Sequence, residues 1–195
     1  MRNQALALGA AAMLAITGCS EGGSENKSAQ TPQAQKAAGT QTIAAGLTAD
    51  SRFMAAAKSA GLDQTLAGPG PYTVLVPEDS AFDKAPAGTF DAAPGNRARV
   101  TGILTNLILP GTVLVEDIGR AIDQGKGKAV IGTMGGGTLT FTREGGKTVV
   151  TDSAGTKAAI TKGDENFTNG IVHRIDAMPM PGNQQQTPAV GQKAG

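Results

Sequence analysis

From Lys128 onward the chain changes texture, and that change does most to limit its fold. KAVIGTM, TLTFTR, KTVVTD, KAAITKG and GIVHRIDAM are short runs with strand character, separated by GGG, EGG, DSAG and TNG. Short runs rich in β-branched residues, closed by glycine-bearing turns, read as consecutive hairpins. The stretch before Lys128 reads as helices. DSRFMAAAKSAGL places Phe53, Met54, Ala57 and Ala60 on one helical stripe. Thr48 or Asp50 can cap its start, and Gly61 suits its left-handed end. YTVLVP is a buried strand stopped by Pro77, and EDSAF opens a short helix with acidic groups in its first turn. NRARVTGILTNLILPG places Val100, Ile103, Leu104, Leu107 and Ile108 on one face, a helix that Pro110-Gly111 would end. Thr112–Val115 is expected as a short strand and EDIGRAIDQG as another short helix. Helices early, strands late and one early strand to join them predict an α+β fold with a mainly antiparallel sheet.

The ends of the chain read differently. One positive charge in MRNQ is followed by ALALGAAAMLAI, an apolar run of the length of a signal sequence and too short to span a membrane comfortably. Residues 1–18 are therefore expected to be a signal peptide. ITGC, Ile16 to Cys19, resembles a bacterial lipobox, and the resemblance implies that Cys19 becomes a lipidated first residue. Ser20 rather than Asp after it points by the same resemblance to the outer membrane, not the inner, of a Gram-negative host. Residues 19–40 are rich in Ser, Gln, Gly and Ala, with no apolar period, and read as a disordered tether. Residues 182–195 read as a similar tail. The folded part is expected over 41–181, as one domain.

Composition excludes several functions. Charge is nearly balanced, with 17 Lys and Arg against 16 Asp and Glu, so nothing tracks a nucleic-acid backbone. Five Phe, one Tyr and no Trp leave little for stacking on bases. A sole cysteine forms no internal disulfide, and a sole histidine leaves a zinc or iron site short of ligands. No metal, cofactor or GxSxG nucleophile is predicted. GGKT, Gly145–Thr148, lacks the earlier glycine of a phosphate loop and precedes a strand, so it reads as a hairpin turn. GKGK, Gly125–Lys128, reads as a solvated basic turn.

Two stretches carry a resemblance. YTVLVPEDSAF, Tyr72–Phe82, resembles the first signature of the fasciclin, or FAS1, domain, and NGIVHRIDAMPMP, Asn169–Pro181, its second. They lie in order, about ninety residues apart. ILTNLILPGTV between them matches the family's central helix and following strand, and IAAGLTADSRFMAAAKSAGL its opening helices. The resemblance covers 43–181. It implies a wedge-shaped β-sandwich flanked by short helices. It also implies a non-catalytic binding or adhesion module outside the cytoplasm, meeting proteins or polysaccharide of the envelope. The loops around the two signatures are then the candidate binding residues: Pro77, Glu78, Asp79, Asp164, Glu165 and Asn169. Two departures matter. Where many members carry Tyr-His before the Pro-Gly, this chain has Asn106 and Leu107. Where some animal domains carry Asp-Ile, it has Asp164 and Glu165. Integrin recognition, linked to those pairs, is not expected. The alternative function is a carrier of a small apolar ligand (lipid, quinone or carotenoid), because some similar proteins bind pigment and a helix–sheet cleft could hold one.

His173 lies in the second signature. Side chains alternate along a strand, so Ile171, His173 and Ile175 share one face and Val172, Arg174 and Asp176 the other. Between two isoleucines the imidazole is expected to point inward as a neutral core residue, hydrogen-bonded to backbone or to a hydroxyl. A catalytic or ligand-binding histidine is the alternative. Arg174 and Asp176 read as a solvated face.

Overall fold

The computed structural model describes residues 39–47, 51–91 and 93–181. The expected signal peptide, Cys19, all of the tether before Gly39 and the tail 182–195 lie outside the described residues. Helices α1 (Ile43–Gly46), α2 (Arg52–Ala60) and α3 (Asp63–Ala67) lead into strand β1 (Tyr72–Pro77) and helix α4 (Asp79–Asp83). A 3-10 turn (Pro94–Asn96) opens α5 (Arg97–Thr105), followed by β2 (Ile108–Pro110) and α6 (Val115–Gln124). The remaining strands are β3 (Lys128–Gly132), β4 (Thr138–Glu144), β5 (Lys147–Thr151), β6 (Lys157–Phe167) and β7 (Gly170–Ile175).

The strands run in the order β2-β1-β7-β6-β5-β4-β3. Every pairing is antiparallel except β1 with β7, where Leu75 lies opposite His173. The fold is thus α+β, with a seven-stranded, mostly antiparallel sheet and short helices. Strand β6 joins its two halves. Its first residues pair with β5 and the rest with β7, with register shifts between Ile160 and Lys162 and between Lys162 and Glu165. Such irregularities bend a strand and increase its twist, which lets one strand serve two ladders. The far ends of the order also meet, because the Met134 amide donates to the Ile108 carbonyl at 2.8 Å.

Alternation then decides what is buried. Ala129, Phe141, Val150 and Ala158 lie side by side on β3 to β6, and all are buried. The row beside it is Val130, Thr140, Thr151 and Lys157, with Val130 58% exposed. The EGG turn is a two-residue hairpin in which Gly145 and Gly146 both take positive φ, 57° and 78°, as a tight primed turn requires.

Three local readings change. The N-cap of α2 is Ser51, whose hydroxyl accepts from the Met54 amide at 3.3 Å, while Thr48 and Asp50 lie outside the described residues. Helix α5 ends at Thr105, so Leu107 and Ile108 are not helical. The Asn106 side-chain amide takes the Gly102 carbonyl at 2.8 Å, and Ile108 pairs with Val74 in β2. Both residues are buried as the apolar pattern required, but a buried apolar run reads alike as helix or strand. The strand expected over Thr112–Val115 is absent. Residues 112–114 form an irregular link and Val115 begins α6, where Asp117 closes back on the Leu114 amide at 3.1 Å.

Candidate functional site

Asn169 stands at the turn between β6 and β7 and is buried. Its Oδ1 accepts from the Ile43 amide at 2.8 Å. Its Nδ2 donates to the carbonyls of Leu66 and Gly68, both at 2.8 Å. The side chain thus ties α1 and the end of α3 to the sheet, with its hydrogen-bonding groups engaged. This corrects its reading as a binding residue, since none of those atoms faces a partner. Pro77 is corrected likewise: it is the buried last residue of β1, opposite Ile175.

The other candidates lie on a surface of mixed charge. Glu78 follows Pro77 and is exposed; its amide donates to the Ile175 carbonyl and its carboxylate accepts from the Thr161 hydroxyl at 2.7 Å. That bond brings the end of the first signature to β6. Asp79 accepts from the Arg52 amide at 3.1 Å, while the Arg52 guanidinium pairs with Asp83 and lies 5.5 Å from the Phe82 ring centre. On β6 and β7, Lys162 and Arg174 face each other across the ladder. Like charges so placed repel, and Glu165 lies between them, 2.7 Å from Lys162 and 3.2 Å from Arg174. Burial alone would raise the Glu165 carboxyl, but the Lys162 hydrogen bond and the charges of Arg174 and Lys162 outweigh it and hold it below its usual value of 4.5. Arg52, Thr161 and Lys162 did not stand out in the sequence. Only the folded register shows that β6 meets both signatures here.

Asp164 on β6 and His173 on β7 form a separate arrangement. Asp164 takes a positive φ of 59° in the irregular part of β6. Its amide donates to His173 Nδ1 at 3.0 Å, and its Oδ1 accepts from the Val115 amide at 2.9 Å. His173 is fully buried, and its Nε2 donates to the Val113 carbonyl at 2.8 Å. An Nδ1 that accepts and an Nε2 that donates describe the neutral imidazole. Burial lowers its pKa, and the Val113 hydrogen bond and the charges of Asp164 and Glu165 only partly oppose this.

A cleft of about 240 Å³ opens elsewhere, between Asn106, the Gly136–Leu139 hairpin, Asp152 and Pro179–Pro181. It is smaller than the roughly 300–1,000 Å³ common for ligand pockets. The Asp152 carboxylate in its wall holds the amides of Ala154, Thr156 and Met180. Asn106 is covered by the hairpin so closely that a Cβ added at Gly137 would lie 2.3 Å from its Oδ1. Among the described residues, no three His, Cys, Asp or Glu side chains converge on a metal position, and no helix is long and apolar enough to cross a membrane.

The sequence pattern of the fasciclin domain matches residues 49–181. The chain is 32% identical over 141 residues to Protein sll1483 of Synechocystis, covering 71% of each. It is 31% identical over 127 residues to the transforming growth factor-beta-induced protein ig-h3 of Sus scrofa, which spans 65% of this chain and 17% of that one. It is 30% identical over 115 residues to immunogenic protein MPB70 of Mycobacterium bovis, 57% of this chain and 51% of that one. Among solved structures, a FAS1 domain pair from the insect cell adhesion molecule fasciclin I superimposes with a TM-score of 0.60 at 21% identity. The match covers 71% of this chain and 50% of that one, and shows the shared fold.

Proposed function

Because the chain belongs to the fasciclin domain family, a family of extracellular adhesion and binding modules, we propose that it is a non-catalytic binding module of the cell envelope. It is anchored through lipid on Cys19, in the outer membrane where the host has one, and residues 19–40 separate anchor from domain. Its partner is an envelope protein or polysaccharide. The match over 49–181, which takes in every strand and all helices but α1, carries this reading. The contact surface is the mixed-charge patch of Glu78, Asp79, Lys162, Glu165 and Arg174. It offers carboxylates and cations within one area, which suits polar partners better than apolar ones.

Cross-linking of the lipidated protein in its own membranes, followed by mass spectrometry, tests both parts. A diacyl or triacyl mass on Cys19 and a recovered partner are expected. The double charge reversal Glu78→Lys with Lys162→Glu should cut partner recovery while leaving the lipid mass in place and the domain folded, as its circular dichroism will show. Undiminished recovery from the double variant would remove this surface from the reading. A Cys19 without acyl mass would remove the anchor.

A further inference from the structure

Three segments meet at the His173 imidazole. They are the irregular stretch of β6, the link 112–114 and, through Asp164, the start of α6. Asp164 Oδ1 stands 3.9 Å from His173 Nδ1, too far for a hydrogen bond and near enough for a side-chain turn to make one. Other charged groups on these elements are engaged elsewhere. Glu165 pairs with Lys162 and Arg174, and Glu116 and Asp117 in the first turn of α6 both pair with Arg120. On β1, the residue opposite His173 is Leu75, which carries no charge. The Asp164 side chain is 41% exposed and holds one backbone amide, so it is the carboxylate with room to move.

We propose that Asp164 and His173 form a proton-driven exchange that controls the start of α6. With the imidazole neutral, the Asp164 amide donates to Nδ1 and the Asp164 carboxylate holds the Val115 amide. A proton from solvent adds to the Nδ1 lone pair. Two donors, Nδ1–H and the Asp164 amide, then face each other with no acceptor between them. The conflict is relieved when the Asp164 carboxylate turns to accept from Nδ1–H, and the Val115 amide loses its acceptor. Nε2 keeps its bond to Val113 in both states, so the ring stays in place while α6 is released at its first residue. Burial places the exchange on the acid side of an ordinary histidine, and the two carboxylates of β6 oppose that shift.

A pH titration of the full chain by NMR reads both ends of the exchange. The imidazole carbon proton and the Val115 and Asp164 amides should move together, with one midpoint below 6.5. Protection of the Val115 amide from exchange should fall about tenfold across that midpoint, as loss of one hydrogen bond implies. Asp164→Asn keeps an oxygen for Val115 and the amide for Nδ1 but removes the charge. Its imidazole midpoint should drop further, because the imidazolium no longer has a carboxylate beside it. A wild-type Val115 amide that stays still while His173 titrates overturns the proposal, as does a chain that unfolds before the imidazole takes a proton. Both are read on the wild type, so the test stands even if the variant does not fold.

Discussion

At the scale of single residues, the second signature does structural work with polar groups. Replacing Asn169 by Ala leaves the Ile43 amide and the Leu66 and Gly68 carbonyls without partners in a closed region. The expected cost is ~2–4 kcal/mol, a fall of roughly 5–15 °C in a thermal melt. A change of under a degree would show that water replaces the side chain without loss. The inward direction of His173 was legible from strand alternation alone. Its partners were not, because both are backbone groups brought in from Asp164 and from Val113, sixty positions away. Asn169 misled for a related reason: a polar residue beside a glycine looks like an exposed turn until the turn is found packed under α1. Titration follows from the same contacts. The folded pKa of His173 is lowered, so the unfolded chain takes up the proton first. Stability is full above about 6.5 and is lost as pH falls toward the lowered value. The folded pKa of Glu165 is also lowered, so a second loss begins below about 4.5. Urea unfolding midpoints measured from pH 8 to pH 3 should therefore decline in two stages, and Glu165→Gln should remove the second.

At the scale of elements, two glycine-to-alanine changes should have opposite signs. Gly170 starts β7, with φ at 155°, beside β1, and a Cβ there would lie 2.0 Å from the Tyr72 carbonyl oxygen. The parallel β1–β7 ladder would have to separate at Tyr72, and a loss above ~3 kcal/mol is expected. Gly102 lies within α5, and a Cβ there would meet nothing within 4 Å. Alanine at that position should stabilise by up to about 1 kcal/mol through helix propensity and a less flexible unfolded chain. Denaturant melts of both variants check the pair. The hairpins β3 to β7 were readable because their turns carry glycines and their faces alternate. Strand β2 was not, because Leu107 and Ile108 extend the apolar spacing of α5. At the helix end the Asn106 side chain donates to the Gly102 carbonyl and the Gly135 amide to the Thr105 carbonyl, contacts that no periodicity records.

At the scale of the whole molecule, one apolar core links the helices to both halves of the sheet. Residues 39–181 should therefore unfold in a single transition, with calorimetric and van't Hoff enthalpies equal. Two resolved transitions would show that the halves on either side of β6 are separate units. The α+β class was legible from the order of helical and strand-like runs, and the family from two short signatures and their spacing. The meeting of Glu78 with Thr161 was not, since it depends on where the irregular register of β6 places each residue. Strand order has a further consequence. The first strand made, β1, has the last one, β7, as its parallel neighbour. A ribosome must therefore release almost the entire domain before β1 can be enclosed. Until then the edge of β1 that β7 will cover stays open. Completion of the domain waits for the last strand, which arrives beside the first and closes it.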